Sequence, residues 1–376
     1  MEAKRVSNYE LFYDLVFVLA TATLTGMLHS RGHGIGWYEL LQFFIASISI
    51  WSLWFTENVY LNKYSERGPA DVYTIIMSML VIGHLATSLT VDWQTTYVEV
   101  FGASVPVFIS FNGLLITAYG IILIQYLLHA RSHEGITGDM KGHMAVIVGT
   151  MTLVAVATWI TYMKWFDGVY TYAIAYLLTL VLPVVFRERT WVRKMNFPHL
   201  VERMQLITIL TFGEAVIAVI KTYPLLSDPI VSTLAFLAMA FTFTAYVSQT
   251  ALNIDHHQQR DPGVMTYVHL GIVTGINLFT VGIESMQHAI SDGLTLVLIG
   301  LGLFYVGILT LGVYNKEAIR LNKKLLGQYA LWVISMVIII LLLPQQLVYV
   351  FGGLFSLTFG FAQIGYGDRN RRLYRD

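Results

Sequence analysis

YELFYDLVFVLATATLTGML, residues 9–28, is an apolar run long enough to cross a bilayer, and it opens with two acids, Glu10 and Asp14. A hydrocarbon core of ~30 Å needs ~17–25 residues of helix. Working outward, further runs of this kind fall at 36–60, 71–90, 104–129, 144–164, 168–186, 203–221, 228–252, 263–287, 293–314, 328–343 and 346–365. The fifth and sixth are separated only by Lys164-Trp165-Phe166-Asp167, and the last two are interrupted at Pro344. The reading is an all-α polytopic membrane protein with about twelve spanning helices.

Composition points the same way. Of 376 residues 56% are apolar and only 12% charged, about half the charged share of soluble domains. Lys plus Arg and Asp plus Glu both number 23, so the net charge is zero. That gives no basic surface for nucleic acid. There is no cysteine, which excludes disulfides and thiolate metal sites. The opening segment is not read as a cleaved signal, because Glu10 and Asp14 interrupt the start of the apolar run.

The loops test the count. With the N-terminus in the cytoplasm, only Arg31, Lys164 and Lys221 fall outside, and the other twenty of the 23 basic residues fall inside. This is the positive-inside pattern. It places the chain in the cell membrane with both termini cytoplasmic. The longest basic connection, 187–203, divides it into a half at 1–190 and a half at 191–376. Phe12-Tyr13-Asp14 and Phe212-Gly213-Glu214 recur at an offset of 200, and Asp71 and Asp261 both precede a span. Six spans per half means that both begin inside, so the expectation is two parallel six-helix pseudo-repeats.

Glu10-Leu-Phe-Tyr-Asp14-Leu-Val-Phe-Val18 resembles the opening signature of the bacterial low-temperature-requirement A (LtrA) proteins. His199-Leu-Val-Glu202-Arg203, followed by Phe212-Gly213-Glu214-Ala-Val-Ile-Ala, is similar to a second signature of that family. There an H-x-x-E-R segment leads into a helix with a Gly-Glu pair. Tyr267-Val268-His269 resembles a third, looser one. Phe212 stands where an aliphatic residue is expected, a minor departure. The resemblance implies a multi-pass inner-membrane protein linked by name to growth in the cold, and implies no substrate or reaction. The triplets Phe12-Tyr13-Asp14 and Phe212-Gly213-Glu214 are also faintly similar to endolysosomal potassium channels with a Phe-Ser-Asp motif in the first helix of each repeat.

Charges inside a bilayer need partners or water and point by default to function. Glu10, Asp14, Thr21 and Thr25 keep one face of the first span, and Arg203, Thr211, Glu214 and Lys221 roughly one face of the seventh. Both stripes can meet at the centre between the halves. Two readings stand for Asp14, which lies ~7 Å inside its span at 1.5 Å per residue: a solvated helix start, or a site. Glu214, near mid-span, reads either as an ion-binding group or as a buried structural pair, for instance with Arg203. Glu202-Arg203, opening the seventh span, reads as a solvated helix start or an ion pair to a neighbouring loop, His84 and His269 as core histidines or proton carriers, and Glu284 and His288 as lining an outer exit. Glu57 reads as interfacial, and Trp51, Trp54 and Phe55 as packing or an aromatic belt. Adjacent histidines in Asp255-His256-His257 do not make a metal set, and no cofactor is expected.

Two functions follow. One is a transporter or channel moving a small cation or a proton-coupled solute, with Asp14, Glu214, Glu10, Thr211, Arg203, Glu202, His84, His269 and Glu284 as candidate binding residues. The other is a membrane enzyme or lipid-handling protein using His199, Glu202 and Arg203 at the cytoplasmic edge. Expected partners are membrane lipids and a small ion or molecule, with a homo-oligomer as a further possibility and no nucleic acid. Reporter fusions after residue 190 and at the C-terminus should both report cytoplasm. A periplasmic C-terminus would mean that 328–365 crosses only once.

Overall fold

The computed structural model describes residues 4–29, 36–89, 96–100, 102–133, 135–190, 195–258 and 260–373. Arg31, Arg193, Lys194 and Arg375, used in the loop-charge argument, lie outside them. Twelve helices are long and apolar enough to cross a membrane among the described residues, one for each run read from the sequence. The chain divides into two compact units, Met1–Arg203 and Met204–Asp376.

The first unit contains α1 (Asn8–His29), α2 (Trp37–Lys63), α3 (Pro69–Thr87), α4 (Val107–Ser132), α5 (Gly138–Tyr162), α6 (Gly168–Val185) and the short α7 (Arg187–Thr190). It also contains the first two turns of α8 (Phe197–Thr222). Between α3 and α4 lies a two-stranded antiparallel hairpin, β1 (Tyr97–Val100) and β2 (Ala103–Pro106). Its turn places Gly102 at φ +80°, a conformation glycine adopts freely. The hairpin was not read from the sequence, where a spanning run was drawn through its second strand. Helix α1 packs on α2 and α3, α2 on α4 and α6, and α4 and α6 on α5.

Helix α1 is inside-out relative to a soluble helix. Phe12, Leu15 and Leu19 are 56%, 51% and 50% exposed, whereas Glu10, Asp14, Thr21 and Thr25 are at most 5% exposed. Outward apolar and inward polar residues are what a hydrocarbon solvent requires. The α1 start carries a reciprocal cap: the Glu10 amide donates to Ser7 Oγ at 3.3 Å and the Ser7 amide to Glu10 Oε2 at 3.0 Å. The α2–α3 turn is built on one carboxylate. Asp71 Oδ1 accepts from the Tyr60 hydroxyl, and Oδ2 from Ser65 Oγ and the amides of Glu66 and Arg67. These bonds hold Arg67 at φ +62°.

The second unit contains the rest of α8, then α9 (Pro229–Val247), which runs on in π geometry through Ser248–Asn253. It continues with α10 (Gly263–Ser285), α11 (Ile290–Leu311), α12 (Lys323–Leu342) and α13 (Leu347–Leu373). Helices α10 and α11 form an antiparallel pair whose backbones touch. A Cβ on Gly275 would lie 2.6 Å from the Gly300 carbonyl oxygen, and one on Gly282 would lie 2.6 Å from that of Gly293 and 2.7 Å from the Val297 nitrogen. Small residues permit this approach in membranes, where apolar surface alone gives no drive to associate.

The obstruction is backbone, so it cannot swing aside. Gly282→Ala should destabilise the protein by ~1–3 kcal/mol, read as a lower melting temperature in detergent. Gly271→Ala, on the same helix with nothing within 4 Å of the added Cβ, should be neutral or stabilising, since alanine is the better helix former. Equal melting of the two variants would contradict the close α10–α11 contact.

Candidate functional site

The site starts from four residues in two pairs. Glu10 and Asp14 are one turn apart on α1, and His199 and Arg203 one turn apart on α8, so each pair shares a helix face. All four are at most 1% exposed. Glu10 Oε2 lies 3.0 Å from His199 Nε2 and 3.8 Å from Arg203 Nη1. Arg203 Nη2 donates to Asp14 Oδ1 at 2.6 Å. The lower-numbered residues pair with each other, as do the higher-numbered ones, so these two helix segments run in the same direction. Five spans lie between them, and an odd number requires that.

Helix α2 supplies the third wall. Trp54 Nε1 donates to Asp14 Oδ1 at 2.7 Å, and the Arg203 guanidinium carbon sits 5.7 Å from the Trp54 ring centroid. The amide of Asn62 fixes the imidazole. Its Oδ1 accepts from the Asn196 backbone N–H at 2.7 Å, which sets the amide's orientation without ambiguity. Its Nδ2 then donates to the Asn196 carbonyl and to His199 Nδ1, both at 3.0 Å. His199 Nδ1 is therefore an acceptor, the proton is on Nε2, and that N–H points at Glu10. Asn196 Oδ1 also accepts the His199 amide at 3.2 Å, an N-cap for α8.

Beside this lies Glu57, wholly buried, whose Oε1 accepts from Gln125 Nε2 of α4 at 2.7 Å. Arg203 is within electrostatic reach of it. Glu10 Oε1, Asp14 Oδ2 and Glu57 Oε2 are buried and receive no hydrogen bond, and the same holds for the Tyr13 hydroxyl and both amide atoms of Asn58. Arg67 Nη2 lies 3.9 Å from Glu10 Oε1, but its side chain is 38% exposed, at the rim. Three buried carboxyl groups thus face one fully buried guanidinium. Arginine stays protonated in proteins and the His199 imidazole is neutral. Charge balance then requires a proton or a cation on the acids, since an unmatched buried charge costs several kcal/mol.

The chain belongs to the bacterial low temperature requirement A protein (LtrA) family. The family model matches residues 5–356. Neither a curated protein nor a solved structure matches the chain. The two stretches that carried the LtrA resemblance are those that meet here, Glu10 and Asp14 from the first, His199 and Arg203 from the second.

The other sequence candidates fall elsewhere. Asp14 is not a solvated helix start, because Trp54 and Arg203 enclose it. Glu214, in the second unit, is half-buried between exposed Gly213 and Ile217, and its suggested partner Arg203 is taken by Asp14 and Glu10. Thr211 is buried but donates to its own helix, to the Ile207 carbonyl, as Thr21 and Thr25 do to Val18 and Ala22. Glu202 is exposed, one residue off the inward face. His84 is exposed rather than core, on the outer face of α3. His269 is a satisfied core histidine, with Nδ1 2.8 Å from the Met265 carbonyl and Nε2 3.2 Å from the Tyr246 hydroxyl. Glu284 is half-buried in the second unit. Asp255 accepts the His257 amide and His256 contacts the Thr250 carbonyl, and no metal-binding group occurs among the described residues.

Glu57 is fully buried within the unit, and α2 runs on past it through Lys63 with its polar tail inside. Trp54 is a donor to the site as well as packing. The sequence does carry a signal for this wall: Trp54, Asn58 and Asn62 fall four apart on one face of an apolar helix.

Proposed function

We propose that the protein is an integral membrane transporter or channel of the cell membrane, with both termini cytoplasmic, that moves a small cation or a proton-coupled solute. One observation carries this reading: three buried carboxyl groups against one buried guanidinium. Their roles divide by partner. Glu10 and Asp14 are held by His199 and Arg203 and set the packing of α1 on α8. Glu57 has only the neutral Gln125 amide as a hydrogen-bond partner. It is the acid free to exchange a proton or to take a cation, as intramembrane acids do in transport proteins.

The alternative of a membrane enzyme or lipid-handling protein rested on His199, Glu202 and Arg203 acting together. Glu202 points away from the other two, and those are engaged with buried acids. On the transport reading the partners are membrane lipids and a small ion.

The test is proton flux in liposomes loaded with a pH-sensitive dye, under imposed Na+ or K+ gradients. The wild-type protein should acidify or alkalinise the lumen. Glu57→Gln keeps the shape and the Gln125 contact, so it should melt as wild type while proton flux falls by about tenfold or more. Full flux in a folded Glu57→Gln protein, or no flux from the wild type under either gradient, would contradict the proposal.

A further inference from the structure

The α2–α3 turn holds an arginine in a backbone conformation that arginine rarely takes. Arg67 sits at φ +62°, in the left-handed region where glycine is the usual residue. The turn fixes it there: the Arg67 amide donates to Asp71 Oδ2 at 2.9 Å and to Ser65 Oγ at 3.3 Å. Strain of this kind persists where the surroundings impose it, and it directs attention to what the side chain does. From the turn that side chain crosses to the start of α1. Nη2 donates to the Arg5 carbonyl and lies 3.9 Å from Glu10 Oε1. The segment it meets is tied down as well. Lys4 Nζ donates to the Leu61 carbonyl at 2.5 Å and to the Ser65 carbonyl at 2.9 Å, at the end of α2, where a helix favours a cation.

Glu10 uses its two oxygens differently. Oε2 accepts from the Ser7 amide and from His199 Nε2, whereas Oε1 is buried and accepts no hydrogen bond. The Glu10 side chain is 1% exposed and that of Arg67 38%. One open oxygen of the buried acids is therefore covered by a cation that reaches it from the edge of the protein. The two arginines at these acids differ in how firmly they are held. Arg203 is buried and bonds Asp14 at 2.6 Å, so it stays. Arg67 is beyond hydrogen-bond reach of Glu10, and an ion pair with an exposed partner holds weakly. Water can replace the Arg5 carbonyl as its acceptor. Its side chain can thus swing out while its backbone stays fixed.

We infer that Arg67 is the cytoplasmic gate of the buried acids: its guanidinium covers Glu10 Oε1, the first oxygen met by a small monovalent cation entering from the cytoplasm, and the cation takes that oxygen when the guanidinium swings out. This rests on the transport reading with a cytoplasmic N-terminus. The guanidinium and the entering cation each carry one positive charge and compete for one oxygen. Departure of the first and arrival of the second are a single exchange, which leaves the charge beside Glu10 unchanged. Behind the gate runs the α2 face that carries Trp54, Asn58 and Asn62. Trp54 bonds Asp14 and Asn62 bonds His199. Asn58 lies one turn from each, is 0% exposed, and neither of its amide atoms has a hydrogen-bond partner.

The chain has no cysteine, so Asn58→Cys carries a single thiol behind the gate, and the substitution breaks no hydrogen bond of Asn58. Inside-out membrane vesicles are treated with a cationic methanethiosulfonate, and the labelling rate is followed. With Arg67 in place labelling should be slow. Adding Arg67→Gln should speed it by about tenfold or more, with the melting temperature unchanged. Arg131→Gln is the control for charge alone. Arg131 is exposed at the end of α4, and His133 two residues on lies 2.8 Å from Glu66 of the α2–α3 turn. Its removal takes the same charge from the same edge and should leave the rate at the parent level. Equal labelling with and without Arg67, or an equal rise in Arg131→Gln, would overturn the gate. Where Asn58→Cys does not fold, flux decides. Arg67→Gln alone in the dye-loaded liposomes should raise flux by about threefold or more, and unchanged or lower flux would overturn the gate. Faster labelling with no flux from any variant strikes the transport reading, whereas wild-type flux with unchanged labelling strikes the gate alone.

Discussion

The guanidinium of Arg203 is wholly buried, and it cannot shed its charge. Lysine or histidine in such a place could neutralise by losing a proton, whereas arginine needs anions and acceptors around it. Asp14 supplies the close contact at 2.6 Å, Glu10 the longer one at 3.8 Å, and the Trp54 ring covers the cation at 5.7 Å. These demands fix much of the first unit. They hold the start of α8 parallel to α1 and set which residue of one faces which residue of the other. They also draw α2 against both, through Trp54 and Asn62. Breaking such a pair by removing one partner costs ~3–5 kcal/mol, because the other charge is left alone.

Once that pair is satisfied, the balance of charge does not close. Glu10 has a neutral imidazole and a distant guanidinium, and Glu57 has an amide. A soluble protein would let water settle the difference. Helix α1 instead turns Phe12, Leu15 and Leu19 outward toward lipid and keeps its acids inside. The surplus acid is therefore enclosed in a low dielectric. On the transport reading we propose, the exchangeable proton or cation belongs to Glu57, which is fully buried within the unit.

The spans were legible because bilayer thickness is a strict ruler: apolar runs of the necessary length have no other common use, and all twelve are helices. Partnership was less legible. Periodicity puts Glu10 and Asp14 on one face and His199 and Arg203 on another, but it does not say which faces meet. The offset of 200 aligned Asp14 with Glu214, whereas the side-chain contacts pair Asp14 with Arg203 and Glu10 with His199. Glu214 looked the stronger candidate because it is nearer mid-span, yet it sits half-buried on the edge of its helix. The burial of Glu57 was not legible, because the apolar run fades at residue 60 while the helix continues to Lys63. A polar helix end inside a membrane protein looks interfacial in sequence, and here Asn58, Asn62 and Lys63 are buried by their neighbours. The Ser7–Glu10 cap was readable from its S-x-x-E spacing.

The central claim is that the Asp14–Arg203 contact is a buried, mutually dependent ion pair. A double-mutant cycle on melting free energy in detergent addresses it directly, using Asp14→Asn, Arg203→Gln and the two together. The account predicts that each single variant loses ~3–5 kcal/mol and that the double variant is no worse than either single, a coupling of about 2 kcal/mol or more. Additive losses, with coupling near zero, would contradict it and leave the two side chains as independent polar residues that happen to lie together.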